Sequence, residues 1–257
     1  MALQASTYRS LSVYAQEADA LKFIDEVLQP QRNDRLLDLG CGTGNVTLKL
    51  AQRIGPRGFL AGVDLDVDRI NIARSRFKDY KNVKIVRGSV EEAEEFSPFD
   101  VVNSNHVIHW IPFEGHKKTL RKIYDLLRPG GRFGFTTVRH LVGFLRDLAA
   151  IPFNNSYDSF IAAMGWTYAP LSYWKPLLAE VGFEVLHGVE EERVMGVFPD
   201  RKTLLDWLEA TCIGIFKANK VSEKEYEQLL ESYGYKTSQP VTVDIVHVDI
   251  VVRKPIS

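Results

Sequence analysis

Asp38-Leu39-Gly40-Cys41-Gly42-Thr43-Gly44-Asn45 sets three glycines two apart, directly behind an acidic residue. Leu36 and Leu37 precede it, and an apolar helical pattern (Val46, Leu48, Leu50, Ala51) follows at once. That order predicts a strand, a tight turn and a helix. A turn without Cβ atoms admits a ligand closely, so that backbone N–H groups face it. The spacing is one residue short of the dinucleotide fingerprint before its last glycine. A second apolar run, Phe59-Leu60-Ala61-Gly62-Val63, ends in Asp64, twenty residues past Gly44. A carboxylate there can accept hydrogen bonds from a ribose diol. A tight βα turn beside a solvated aspartate is the plain structural alternative.

Two histidines, His106 and His109, stand three apart after a fourth apolar run. On a helix that spacing would bring two imidazoles together. No third ligand of matching spacing is evident, so no metal is expected. Either ring could act as a general base, or be packed and hydrogen-bonded. His140, just past the fifth strand, is a further candidate at a pocket floor.

The elements that must position these groups alternate. Helix is expected over 12–28, stopped by Pro30, behind a polar and mobile 1–10. Strands are expected at Arg35–Leu39, Phe59–Asp64, 84–88, 99–104 and Arg132–Val138, with helices at about Asn45–Ile54, from Asp66, and at 115–127. Short apolar strands alternating with helices predict an α/β fold with a parallel sheet covered on both faces. After Val138 the alternation stops, and 139–170 is unusually aromatic (Phe144, Phe153, Tyr157, Phe160, Trp166, Tyr168). Helix 171–181 and strand 183–189 resume the core. A second insertion covers 198–234, with one helix to about Phe216 and another from Ser222, where Glu225 completes a capping box. The run Val241–Val252 is the last strand. The two insertions are expected to pack together over the strand C-termini, where open α/β sheets bind ligands. Their aromatics read individually as core.

The chain has 257 residues, 45% of them hydrophobic and 25% charged, as in globular proteins. A net charge of −1 provides no bulk field for nucleic acid or an anionic membrane, and neither partner is expected. Two cysteines, Cys41 and Cys212, are too few for a disulfide framework, and Cys41 sits inside the glycine turn. A reduced, cytoplasmic setting is expected. No signal-type apolar run and no stretch of about 18 apolar residues occurs.

Asp38-Leu39-Gly40-Cys41-Gly42-Thr43-Gly44 resembles the first motif of the class I S-adenosylmethionine-dependent methyltransferases. Val63-Asp64-Leu65-Asp66 resembles their second, acidic motif, and Leu126-Leu127-Arg128-Pro129-Gly130-Gly131 the turn before their fifth strand. The match spans roughly residues 10–140. It implies a Rossmann-like seven-stranded sheet, mostly parallel with the last strand antiparallel, with helices on both faces and a helical cap from the two insertions. One domain is implied, with core at about 12–138, 171–190 and 240–253 and cap at about 139–170 and 198–235. The implied cofactor is S-adenosylmethionine, held by Asp38, Gly40, Cys41, Gly42, Gly44 and Asn45, with Asp64 on the ribose and Leu65 against the adenine. Where the family often has an aspartate reading the adenine amine, this chain has Ser89. The Ser89 hydroxyl and the Val90 backbone are assigned that contact, with Asn105 completing the site, and Glu91 and Glu92 read as a solvated helix start.

Asn103 to Trp110 resembles the segment Ser-Asn-x-x-x-His/Gln-Trp of a small-molecule subgroup that includes trans-aconitate, malonyl-carrier-protein and juvenile-hormone-acid carboxyl methyltransferases. Phe198-Pro199-Asp200 with Leu204, Leu205, Trp207 and Leu208 resembles their insertion. In that reading Trp110 walls the acceptor pocket. Tyr14-Ala15-Gln16 resembles a segment that lids the cofactor and reaches the acceptor carboxylate. Gln16, Trp110, His106 and His109 are thus the catalytic candidates, and Tyr14, Trp110, His140, Trp166 and Tyr168 the acceptor-binding ones. The reaction expected is O-methylation of an apolar carboxylic acid, because large rings favour an apolar body by about 25 cal/mol per Å² buried. An N- or C-acceptor, or a non-catalytic cofactor-binding domain, are the alternatives. A monomer or homodimer is expected.

Overall fold

A computed structural model of the chain describes residues 2–211, 222–236 and 238–256. Seven strands form one sheet: β1 (Arg35–Leu39), β2 (Phe59–Asp64), β3 (Val83–Arg87), β4 (Phe99–Asn105), β5 (Leu127–Leu141), β6 (Glu184–Phe198) and β7 (Val241–Arg253). Their order is β3-β2-β1-β4-β5-β7-β6. The first five are parallel, and β7 runs antiparallel between β5 and β6.

Side chains alternate across each strand, so each apolar run feeds two cores. Leu36, Leu60 and Val101 face one layer, with Phe23, Leu50, Ile54 and Phe77. Leu37, Ala61 and Val102 face the other, with Leu120, Ile123, Trp174 and Leu178. The first layer contains α2 (Gln16–Phe23), α3 (Asn45–Ile54) and α4 (Val67–Phe77), and the second α5 (Phe113–Leu126) and α8 (Leu171–Val181). Asp66 starts α4 by accepting hydrogen bonds from the backbone of Asp68 and Arg69.

The outer strands outrun the expected lengths. β6 continues to Phe198 and β5 to Leu141, and both pair with β7 over this added length. On this extension α6 (Gly143–Ala150), α7 (Tyr157–Met164), α9 (Arg201–Thr211) and α10 (Glu223–Ser232) share one core. Leu145, Phe160, Trp207 and Leu230 meet there with Val243 and Ile245. The two insertions therefore pack together, as expected. Ser222 and Glu225 form the expected capping box. The extension of the preceding helix to about Phe216, and Cys212, lie outside the described residues.

The N-terminus differs from expectation. Residues Ala2–Leu11 form α1, not a mobile tail. The helix expected over 12–28 is broken at Ala15 (φ −137°, ψ −89°) between a 3₁₀ turn and α2, and it ends in a π-helical turn, Ile24–Leu28. The break has a packing cause. Ala15 is fully buried, and its backbone and that of Tyr14 lie directly on Gly196 of β6. A Cβ at Gly196 would stand 2.0 Å from the Tyr14 carbonyl oxygen. Gly196→Ala is expected to push this segment off the strand, costing about 1–3 kcal/mol and exposing the backbone after Arg9 to trypsin. Urea denaturation and limited proteolysis check this, and wild-type values for both would refute it.

Candidate functional site

The C-terminal ends of β1, β2, β3 and β4 border a cleft of about 570 Å³ that the glycine loop and α2 help enclose. The loop folds back onto β2. Gly40 and Cys41 donate their N–H groups to the Val63 carbonyl (2.8 and 3.0 Å), and Gly42 donates to Asp64 Oδ2 (2.9 Å). All three loop glycines have positive φ, each in a different surrounding. A Cβ on Gly40 would strike Val107, and one on Gly44 would strike Phe77. One on Gly42 would meet no protein atom within 4 Å, because that position opens into the cleft. Asp64 also accepts from Asp66 N–H through Oδ1 (2.9 Å). An ionised carboxylate has about four acceptor positions, so both oxygens keep capacity for a diol. Leu65, 70% exposed, offers an apolar face beside it.

A polar chain, buried except at Asn105, lies under the loop. Asp38 accepts from Thr47 Oγ1 (2.6 Å) and Asn103 Nδ2 (2.8 Å). Asn103 in turn accepts from Asn105 Nδ2 (3.0 Å), and Asn105 from Thr136 Oγ1 (3.3 Å). Burial raises the Asp38 carboxyl to about 6, against the pull of its two donors. Asp38 and Asn105 border the cleft, but both are anchored in this chain.

Several expected ligand-facing groups are occupied by the protein itself. The Ser89 hydroxyl donates to Glu91 (2.6 Å), and its N–H donates to Glu92 (2.7 Å), closing the turn. Ser89 and Val90 still border the cleft, but the hydroxyl is not free for an adenine. Cys41 packs beneath Gly62, and burial pushes its thiol up. Asn45 Nδ2 donates to the Arg9 carbonyl (3.0 Å) and Ser12 Oγ (3.1 Å), fastening the N-terminal segment to α3. Gly44 caps α3 in a left-handed conformation and does not reach the cleft wall.

At the acceptor end Gln16, His106 and Trp110 border the cleft. Gln16 Oε1 accepts from Trp207 Nε1 (2.8 Å), which leaves the amide NH₂ as the free donor. Tyr14, His109, His140, Trp166 and Tyr168 do not border it. Tyr14 leans on Phe198 of the cap. His109 is buried, 3.2 Å from Thr137 Oγ1, with Trp110, Trp166 and Tyr168 around its ring. Burial pulls its imidazole down to about 3. Trp166 stacks edge-on against Trp110 from behind (5.3 Å). His109, Trp166 and Tyr168 shape the wall by packing and do not themselves line it.

The two histidines do not form a helical pair. His106 adopts a left-handed backbone (φ +53°), and His109 lies in a 3₁₀ turn. His106 Nε2 instead lies 3.1 Å from Asp19 Oδ2, and His247 Nδ1 lies 3.4 Å from the same oxygen. Arg193 donates to Asp19 Oδ1 from Nε (3.1 Å) and Nη2 (2.9 Å), and also pairs with Asp249. Burial would raise the Asp19 carboxyl, but His106, His247 and Arg193 hold it well below the usual range. Nothing in the spacing of Asp19, Arg193, His247 and Asp249 signals this cluster. The alternating pattern of Val241–Val252, interrupted by His247 and Asp249 at buried positions, was its one visible trace.

Residues 30–182 match the family described as "Methyltransferase domain". Juvenile hormone acid O-methyltransferase of Drosophila melanogaster is 28% identical over 226 residues, covering 81% of this chain and 75% of that protein. Trans-aconitate 2-methyltransferase of Deinococcus radiodurans is 34% identical over 107 residues, 41% of this chain and 39% of that protein. Among solved structures, Haemonchus contortus phosphoethanolamine N-methyltransferase 2, in complex with phosphomonomethylethanolamine and S-adenosylhomocysteine, superposes with a TM-score of 0.62 at 20% identity. That match covers 99% of this chain and 58% of the other.

The Asp38 environment sets a pH dependence. A carboxyl raised to about 6 binds its proton more tightly folded than unfolded. Its contribution is complete below the unfolded value near 3.9 and is lost as pH rises through about 6, a span worth about 2–3 kcal/mol. In Asp38→Asn an amide can accept from Asn103 and donate to Thr47, so the fold is retained. Unfolding free energies from urea titrations at pH 4.5 and 7 should then differ less in the variant than in the wild type, by about 2 kcal/mol. Equal pH dependence in the two proteins would refute the assignment.

Proposed function

The chain belongs to the S-adenosylmethionine-dependent methyltransferase family, and from that premise we propose that it O-methylates an apolar carboxylic acid. It is an enzyme acting on a small molecule with S-adenosylmethionine as cofactor. The cleft fits that group: Gly42 opens into it without a Cβ, and Asp64 stands at the end of β2 with acceptor capacity to spare. When bound, the cofactor supplies a methyl group activated by a sulfonium, and the protein contributes position.

One observation carries the acceptor assignment. Trp207 holds the Gln16 oxygen, which leaves the amide N–H groups to donate, and Gln16 lines the cleft together with the half-exposed Trp110. A fixed N–H donor and an indole N–H suit two carboxylate oxygens, and the indole face suits an apolar body. A carboxylate is ionised at neutral pH and needs no base, which agrees with the neutral, enclosed His109. The similarity to juvenile hormone acid O-methyltransferase, over 81% of the chain, supports the same reading.

Five measurements check these roles. A panel of apolar acids, phenols and amines, assayed for S-adenosylhomocysteine release, should show turnover with acids. Gln16→Ala should lower kcat/KM about 10–100-fold, the loss of a hydrogen bond to a charged group. Exclusive turnover of amines or phenols would overturn the acceptor class.

For the cofactor end, Gly42→Val should abolish S-adenosylmethionine binding in calorimetry while circular dichroism stays native. Asp64→Ala should weaken binding by about 1–3 kcal/mol. Unchanged affinity in both variants would displace the cofactor from this loop. Finally, His109→Asn should keep turnover within about tenfold of wild type, because a catalytic base contributes far more. A thousandfold loss in a folded variant would contradict it.

A further inference from the structure

Beneath the acceptor end of the cleft, three ligating side chains converge from distant parts of the chain. Asp19 lies on α2, His106 follows β4, and His247 lies within β7. One ligand atom from each lies within 4.8 Å of the others. His247 is completely buried, and among the described residues neither of its ring nitrogens makes a hydrogen bond. A buried polar group left in that state calls for a missing partner.

We propose that Asp19, His106 and His247 form a site for a divalent transition-metal ion of the zinc, iron(II) or cobalt(II) type, open toward the cleft. Two imidazole nitrogens and one carboxylate oxygen are the donor set such ions take, with positions left for other ligands. Both carboxylate–imidazole separations fit. Asp19 Oδ2 lies 3.1 Å from His106 Nε2 and 3.4 Å from His247 Nδ1. Ligand atoms sharing one ion at bond lengths of about 2.0–2.2 Å stand roughly 3.0–3.5 Å apart.

The surroundings agree. Arg193 occupies the other oxygen of Asp19, so it orients the carboxylate and leaves Oδ2 for the ion. Arg193 is itself neutralised by Asp249, which pairs with it from β7. Two carboxylates share this one guanidinium, and Asp249 Oδ1 makes no hydrogen bond among the described residues, an arrangement that a nearby cation suits. Entry is available because His106 borders the cleft.

An ion there would clasp α2 and the loop after β4 to the antiparallel part of the sheet. The same N-terminal segment carries Ser12 and Gln16 to the cleft wall. Metal and cofactor binding should therefore be coupled.

The test uses the full chain, stripped with a chelator and titrated with Co²⁺, with Zn²⁺ as competitor. One Co²⁺ per chain is expected, with visible ligand-field absorption that Zn²⁺ abolishes. His247→Phe, which fills the same space, and Asp19→Asn should each weaken Co²⁺ binding more than about tenfold. His140→Ala, outside the cluster, should leave it unchanged. Circular dichroism confirms that each variant is folded. S-adenosylmethionine affinity by calorimetry should fall in the stripped wild type and return with metal. Substoichiometric Co²⁺, equal affinity in wild type and folded His247→Phe, or cofactor affinity indifferent to metal would overturn the proposal.

Discussion

The fold-back of the glycine loop onto β2 is the constraint from which the rest of the site follows. Two N–H groups of the loop are bound by one carbonyl, that of Val63, and a third by the Asp64 carboxylate. Chain that returns so tightly over its own neighbouring strand needs positive φ at every second residue, and only glycine adopts it without strain. The three glycines nevertheless answer to different neighbours. Val107 crowds Gly40, Phe77 crowds Gly44, and Gly42 alone faces open space. Even β2 is shaped by its neighbours: a side chain at Gly62 would meet Ile85 and, from the loop, Cys41. One hydrogen-bonded return thus fixes the cleft wall, the start of α3 and the placement of Asp64.

Beneath the loop, the chain from Asp38 through Asn103 and Asn105 to Thr136 crosses β1, β4 and β5. Asp38, Asn103 and Thr136 are buried and every member is hydrogen-bonded, so the chain fixes the relative heights of the strand ends on which the cleft stands. The cost falls on Asp38, whose carboxyl burial raises to about 6 in spite of two donors. Desolvation outweighs two good hydrogen bonds there, as expected for a carboxylate with no cation beside it.

The glycine loop, the acidic strand end and the parallel strands were legible because each is local, whereas the antiparallel return of β7 came only with the family resemblance. A turn, a strand end or an alternating run is written in adjacent residues. The same holds for the Ser222 capping box. What was not legible is long-range. The break at Ala15 depends on Gly196, and the partners of Asp19 are His106, Arg193 and His247, which no spacing rule connects. Histidines three apart suggested a helical pair, but the chain leaves β4 through a left-handed His106 and the two rings part. Trp166 and Tyr168 illustrate a second limit. An aromatic insertion shows that rings will be buried, not whether they face a ligand or one another, and here they back onto His109 and Trp110.

The N-terminal segment draws these levels together. Between residues 9 and 19 it is held by three sets of polar contacts, each to a different part of the protein. Asn45 binds it to the glycine-loop helix, Trp207 holds Gln16 from the cap, and Arg193 with His106 holds Asp19 at the sheet. Removing a partner of the buried Asp19 leaves a charge unpaired away from water, which costs more than the contact alone contributes. Loop, cap and charge cluster therefore act on one stretch of backbone, bent at Ala15 where β6 leaves no room for a side chain. A wall that closes only when all three attachments are made can keep water from a reacting group without a separate lid domain.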